Sequence, residues 1–452
     1  MDNNVAMAKS LLSAHPDPLT LDTGYREILG TDYGEQFRSH RKMIDDRDVD
    51  VLLCDHLLPA CFHAAQAAKI PCIITIALAL TPDASASFIN NEAFIMSDYT
   101  TQYESFFTRF YKMFILQGRL LWWKMGPGAH KLAQQQMSLG LEPHRGLHPS
   151  NAWVDSLKLV NNVFGLEAPR PMGPLVELVG PIMQQKYQPL TEDLKTFLDA
   201  HQKVAYVAFG QLSLATKSDI QLILTALMEN IEQGAVDGFL WVTNDSMDHF
   251  PEKAKSLSKK NQAYSVAELF DNKHPHIRFI QWAPQRAVLL HPSTIFFISH
   301  GGAGSLHDAL SAGKRLVMFP FFFDQHANAR NVERSGLGRF LDYRVSQSKA
   351  CDILRQVALD ENGQFQTSVE RFKALVQIHG KHGALRGADL VEEVAFMHKD
   401  GRLPHRYQAS REMSLMKLYN IDLFGVLTTI IVVPTAFVLK LTRLPHRKVK
   451  TQ

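Results

Sequence analysis

The sequence predicts an α/β protein of two domains with parallel strands and an apolar helix near the carboxyl end. Three observations carry this. Apolar runs at Ile277 to Gln281, Ile295 to Ser299 and Leu316 to Pro320 each lead into a polar or glycine-rich turn. Such runs suit strands buried on both faces, with ligands taken at their carboxyl ends. The chain has 452 residues, more than one core usually organises. Leu423 to Leu441 is uncharged apart from Lys440 and close to one bilayer span in length.

The elements follow in chain order. Residues 5 to 45 read mainly as helix and loop. His15 falls in the loop S-A-H-P-D-P. Asp50 to Cys54 is a strand ending at Asp55-His56, Ala60 to Ala68 an alanine-rich helix, and Ile70 to Ile74 the next strand. This is the one clear βαβ unit before Leu178-Val179-Gly180-Pro181, where glycine and proline mark a boundary. Phe106 to Trp123 is aromatic and carries Arg109, Lys112 and Arg119. It reads as a helix lying on a membrane or lining a lipophilic pocket, or equally as one packed on the core.

In the second half, Lys203 to Phe209 is an apolar run ending in Gly210, and Phe239 to Val242 is a further strand. Trp282 follows the run at 277, where an indole can stack on a planar base. His300-Gly301-Gly302-Ala303-Gly304-Ser305 follows the run at 295 and opens a helix pattern, Leu306 to Ala312. Its glycines let backbone N–H groups approach a ligand, and the helix start near Ser305 favours an anion such as a diphosphate. Asp324-Gln325 follows the run at 316, a carboxylate and an amide suited to sugar hydroxyls. Taken singly, a tryptophan is more often core, and an Asp-Gln pair is usually a solvated turn. The histidine-glycine turn alone also suits an esterase, but the chain holds no G-x-S-x-G nucleophile elbow.

Composition narrows the classes further. Net charge is +3, so nothing suggests nucleic acid, and no P-loop, zinc pattern or repeat is present. The cysteines Cys54, Cys61, Cys72 and Cys351 form no C-x-x-C pair and indicate no disulfide framework. Cys54 and Cys72 fall in predicted buried strands. The start lacks the apolar region of a signal peptide. The apolar carboxyl helix tolerates Pro434. The basic tail after it, Arg443, Arg447, Lys448 and Lys450, places that end on the cytosolic side.

In this order and spacing, the block from Trp282 to Gln325 resembles the signature of the UDP-glycosyltransferases. The resemblance implies the GT-B fold: an acceptor domain at 1–174, a donor domain at 175–400, a connector at 401–420, a transmembrane helix at 421–441 and a cytosolic tail at 442–452. It implies transfer of a hexosyl group from a UDP-sugar to a hydroxyl of a small lipophilic acceptor, with inversion and with no metal or other cofactor. By resemblance, Trp282 stacks on uracil and Gln285 contacts the uridine. His300, Gly302, Gly304 and Ser305 hold the diphosphate, with His300 helping to offset its charge, and Gly210 ends the first donor strand. Asp308 stands where the family has Glu for the ribose, one methylene shorter. Asp324 and Gln325 grip the donor sugar. Gln211 replaces the family's usual Ser after Gly210.

Asp55 matches the aspartate that orients a catalytic histidine in the family. The histidine itself, expected after an opening strand, has no counterpart in the sequence. His56 is adjacent to Asp55, but neighbours on a strand point to opposite faces. A capping role for Asp55 on the following helix is the plain alternative. An amino-terminally shortened acceptor domain follows, and with it a second class of function: a UDP-sugar binder or regulatory partner without turnover. The resemblance also implies an endoplasmic-reticulum membrane location, with Lys448 and Lys450 as a retrieval signal, and leaves a homo- or hetero-oligomer open.

Overall fold

The computed structural model describes residues 15, 32–90, 98–124, 127–142, 152–244, 246–255 and 263–442. Residues 1–403 form one compact unit and 404–452 a second. The first unit holds two parallel sheets. The amino-terminal sheet runs β1 (Leu52–Asp55), β2 (Cys72–Ile76), β3 (Leu157–Val160) and β4 (Val176–Leu178), in that order. The sequence shows only the first two as a βαβ unit. β3 and β4 are short, and Lys158 and Glu177 interrupt their apolar pattern. Lys158 is nevertheless buried, held by ion pairing to Asp83 and by the Val154 carbonyl at 2.9 Å.

The second sheet has six strands: β5 (Val204–Ala208), β6 (Gly238–Val242), β9 (Ile277–Ile280), β10 (Thr294–Ser299), β11 (Arg315–Met318) and β12 (Gly338–Phe340). Their order is β12-β11-β10-β5-β6-β9, so the chain reverses direction across the sheet beside β5 and β10. That is where open α/β sheets take ligands. β7 (Lys253–Lys255) and β8 (Ala263–Ser265) form a separate antiparallel pair.

Period-two alternation within the continuous apolar strands decides which residues meet which helices. Ala205, Val207, Phe239, Trp241, Phe296 and Ile298 pack with the helices Lys217–Glu232 and Gln347–Leu359. Tyr206, Ala208, Leu240, Phe297, Leu316 and Met318 pack on the other face. There they meet Leu306, Leu310, Val332 and Val369 of three other helices. Each such buried aliphatic or aromatic side chain is worth roughly 1.5–3 kcal/mol against exposure, so alternation pins the register.

The long helix Gln364–Met397 closes on the segment between the sheets through glycines. A Cβ on Gly383 would lie 2.2 Å from the Val179 carbonyl oxygen, and one on Gly380 2.9 Å from that of Pro181. Farther along, Arg386 donates to Glu177 at 3.2 Å. In the second unit, the helix Ile421–Thr442 includes an 18-residue window of mean hydropathy 2.1, none of it buried. By length and composition it is able to cross a membrane. The basic residues from Arg443 onward lie outside the described residues.

One expectation is overturned here. Cys54, at the end of β1, is bonded to Cys61 in the first turn of the helix Pro59–Ala68, with Cα atoms 5.8 Å apart. The seven-residue spacing gives no cue, because the bond depends on the chain reversing between strand and helix. Cys72 and Cys351 are free and buried.

Candidate functional site

The glycine loop is built around one imidazole. β10 ends at Ser299, and Gly301 follows with φ +94°, which favours glycine. A Cβ on Gly302 would stand 2.5 Å from His300 Nε2. Gly210, at φ +71°, faces the same ring, where a Cβ would meet Cε1 at 3.0 Å. The two glycines thus leave room for His300 between β5 and β10. Burial lowers its pKa to about 4, so the ring is neutral near pH 7. A neutral imidazole supplies a hydrogen bond rather than a cation. The positive end left is the helix Ala303–Ser311, capped by Gly302 with no side-chain cap, so its first N–H groups have no side-chain acceptor. Gly304 is exposed, with nothing within 4 Å of a Cβ built on it.

Beside this loop is a cavity of about 450 Å³. It brings together five of the predicted residues: Gly210, Trp282, Gln285, Ser305 and Asp308. Trp282 is 59% exposed, too open for a core role and suited to be a platform. Gln285 Nε2 donates to Asp308 Oδ2 at 2.9 Å and lies 3.5 Å from Ser305 Oγ. Asp308, though one methylene short, lines the cavity, and burial raises its pKa. Gln211 lines it too.

Asn244, Arg286 and Tyr187 are among the lining residues that escaped the sequence reading. Asn244, at φ +44° just past β6, donates to the Gly210 carbonyl and so ties the β5 turn to the β6 turn. Arg286 donates to the Gln184 carbonyl and lies over the Tyr187 ring at 5.3 Å, closing one wall with the segment that follows the boundary. A left-handed asparagine after a strand is a turn signal that could have found Asn244; Arg286 and Tyr187 meet only in three dimensions.

His300, Gly302, Gly304, Asp324 and Gln325 are not among the residues that line this cavity. Gln325 is buried, and its Oε1 accepts from the N–H groups of Phe321 (2.9 Å) and Phe322 (3.2 Å), bracing the turn after β11. Asp324 Oδ2 accepts from Asn328 Nδ2 at 2.8 Å, and the same nitrogen donates to the Gly301 carbonyl at 2.8 Å. Asn328, unnoticed in the sequence, therefore links the carboxylate to the glycine loop. Burial pushes the Asp324 carboxyl up to about 6, and the Glu167 carboxylate adds to the rise.

Asp55 stands exposed at the carboxyl end of β1. Its Oδ1 accepts from the Leu57 N–H at 2.8 Å, a local turn, and the helix that follows has no side-chain cap. The capping alternative is therefore absent. His56 lies past the strand, where alternation no longer applies, and its Nδ1 is 3.4 Å from Asp55 Oδ1. Burial lowers the His56 pKa against the opposing pull of Asp55, which favours the neutral ring. The strand ends of this sheet face the glycine-loop helix: Asn162, after β3, donates to the Ala77 carbonyl at 3.2 Å and lies 3.3 Å from His307 Nε2. His15 is elsewhere. It lies 3.1 Å from Asp219 Oδ2 and stacks on Tyr343 at 3.9 Å between ring centres. Among the described residues, no group of three or more His, Cys, Asp or Glu side chains could hold a metal.

Comparison with known proteins supplies the family. A profile of the UDP-glucoronosyl and UDP-glucosyl transferase family matches residues 39–451. The chain is a member of the UDP-glycosyltransferase family.

Similar members include a UDP-glycosyltransferase of Talaromyces amestolkiae, 29% identical over 67% of this chain and 59% of its own length. Another is UDP-glycosyltransferase 1 of Phaeomoniella chlamydospora, 33% identical over 60% of this chain and 56% of its own. Mouse UDP-glucuronosyltransferase 3A1 is 26% identical over 59% and 47%. This UDP-glycosyltransferase thus spans about half to three-fifths of the length of such relatives. Among solved structures, the glycotransferase of kitacinnamycin matches with TM-score 0.57 at 18% identity, over 81% of this chain and 82% of that one. A UDP-glucosyltransferase from Polygonum tinctorium matches with TM-score 0.56 at 17% identity, over 81% and 82%. These likenesses show the fold, which is GT-B.

Proposed function

We propose that this UDP-glycosyltransferase transfers a hexosyl group from a UDP-sugar to a hydroxyl of a small lipophilic acceptor, with inversion, at an endoplasmic-reticulum membrane. The observation that carries the donor half is the cavity in which Trp282, Gln285, Ser305, Asp308 and Gly210 converge. In this reading, uracil stacks on Trp282, the ribose meets Asp308 and Gln285, and the diphosphate takes the N–H groups at Gly304 and Ser305. Asp324 and Gln325 face the sugar. The acceptor hydroxyl, a weak nucleophile, loses its proton to a base as it attacks the anomeric carbon from the side opposite the diphosphate. Asp55 orients that base, and His56, whose Nδ1 lies 3.4 Å from Asp55 Oδ1, is the candidate for it.

The location rests on the helix Ile421–Thr442 and on the Cys54–Cys61 bond, which suits an oxidising lumen. The test is UDP release by the full chain in membranes, from UDP-glucose and UDP-glucuronate, over a panel of lipophilic alcohols. Acceptor-dependent release supports transfer; UDP binding without release favours the non-catalytic binder.

A further inference from the structure

His15 has no part in the cavity or in the Asp55–His56 pair, yet its side chain is only 8% exposed, set against the donor half. Its ring lies parallel to Tyr343, with centroids 3.9 Å apart and planes at 12°. It also lies parallel to Phe321, at 5.2 Å and 7°. Phe319 meets it edge-on at 6.0 Å. A carboxylate only accepts, so the imidazole Nε2–H donates to Asp219 Oδ2 at 3.1 Å. The other ring nitrogen is buried and has no hydrogen-bond partner among the described residues. The backbone of His15 is at φ +52°, the left-handed region, and Pro16 follows it. A Cβ disfavours that region, and a residue ahead of proline is normally extended. Such a conformation persists where surrounding contacts hold it, and here the ring supplies them.

These contacts join two turns on which the donor site depends. Asp219 Oδ2 also accepts the Thr216 N–H at 2.8 Å, closing the turn that runs from Gly210 to the helix Lys217–Glu232. Gln211 of that turn lines the cavity. Phe321 belongs to the turn after β11, where its N–H donates to Gln325, the neighbour of Asp324. Tyr343 follows β12. One imidazole therefore spans the exits of β5, β11 and β12. It does so by stacking and donating at once, which no aliphatic side chain can do. Turns fixed before the ligand arrives bind it better than turns that must be ordered on binding. We propose that His15, docked in the socket of Tyr343, Phe321 and Asp219, is a positioning residue that holds these two turns in place for the UDP-sugar. This rests on the donor reading of the cavity, and the test separates the two.

UDP and UDP-glucose affinities are measured by calorimetry on the full chain in detergent, with and without buffered millimolar imidazole. The proteins are the unaltered chain, His15→Ala and His15→Phe. His15→Ala empties the socket and is expected to weaken UDP-glucose by on the order of tenfold, and UDP by less, because the turn after β11 faces the sugar. Imidazole entering the vacated socket is expected to restore most of the loss. His15→Phe keeps a flat ring, loses the bond to Asp219 and leaves no room, so it is expected to weaken UDP-glucose and to gain nothing from imidazole. A general loss of fold would not be repaired by imidazole in one variant and not in the other. UDP-glucose affinity unchanged in both variants, or His15→Ala indifferent to imidazole, would overturn the positioning role and leave the cavity as the donor site. If His15→Ala does not fold, His15→Phe decides, and an affinity equal to that of the unaltered chain would overturn the role. No UDP binding by the unaltered chain would overturn the donor reading, and this role with it.

Discussion

The Tyr99 hydroxyl donates to Asn328 Oδ1 at 2.5 Å, joining a loop of the amino-terminal half to the helix that begins after Asp324. Through the Nδ2 group of the same amide, the contact extends to Asp324 and to the glycine loop at Gly301. Removing the hydroxyl leaves a buried amide oxygen without that donor, at a cost of about 1–3 kcal/mol. Tyr99→Phe is therefore expected to lower the melting temperature and to weaken UDP-sugar binding more than UDP binding. Equal weakening of both ligands, measured by calorimetry, would count against the link to the sugar side.

Asp324 sets a pH dependence. Its folded pKa of about 6 lies above the ordinary 3.8, so the fold favours the protonated acid. That contribution to stability is full below the ordinary value and is lost as pH rises through 6. A sugar whose hydroxyls donate to Asp324 needs the carboxylate instead. The affinity ratio of UDP-sugar to UDP should then fall below pH 6, approaching about tenfold per pH unit. A ratio flat from pH 5 to 7.5 would remove Asp324 from sugar recognition.

Trp282→Ala tests the base platform. Loss of stacking is expected to weaken UDP binding by about 1–3 kcal/mol. The indole is 59% exposed, so the melting temperature should hardly move. Unchanged UDP affinity would leave uracil without this partner.

The Cys54–Cys61 bond encloses Asp55 and His56. Closing so short a loop restrains the unfolded chain by roughly 2–3 kcal/mol in the loop-entropy account. Replacing both cysteines by alanine should lower stability by about that much. If Asp55 and His56 act together, acceptor-dependent turnover should fall further than UDP affinity, which the donor half controls. Turnover and stability both unchanged would show that the bond is idle.

The helix Gln364–Met397 gives a purely structural test. Gly383→Ala would put a methyl group 2.2 Å from the Val179 carbonyl, which must then move. Separation of helix and linker should cost about 1–3 kcal/mol, the usual range for overpacking, and be visible as a lower unfolding midpoint. Gly425→Ala, with nothing within 4 Å, serves as the control.

Much of this protein is legible in one dimension. β5, β6 and β10 of the six-stranded sheet stand out as nearly continuous apolar runs because both their faces are buried, while the edge strand β9 and β11 are apolar apart from Arg278 and Arg315. The glycine loop and Trp282 announce themselves because clustered glycines signal a tight turn after a strand, and an indole just past a strand end stands apart from the core pattern. The carboxyl helix is visible because hydropathy and length are sums along the chain. What tertiary structure alone decided are relations between distant residues. β3 carries a lysine that a buried ion pair to Asp83 accommodates, and β4 a half-buried glutamate that meets Arg386 of a distant helix. Burial between two strand ends, where Gly210 and Gly302 leave room for the ring, favours the neutral form of His300. Asn328 matters because Tyr99, Gly301 and Asp324 reach it from three segments. The cystine depends on a reversal of direction, and the exposure of residues 106–122 on what does not cover them. Local pattern fixes which way a side chain points along its own element; pairing, burial and charge state depend on what the rest of the chain brings to it.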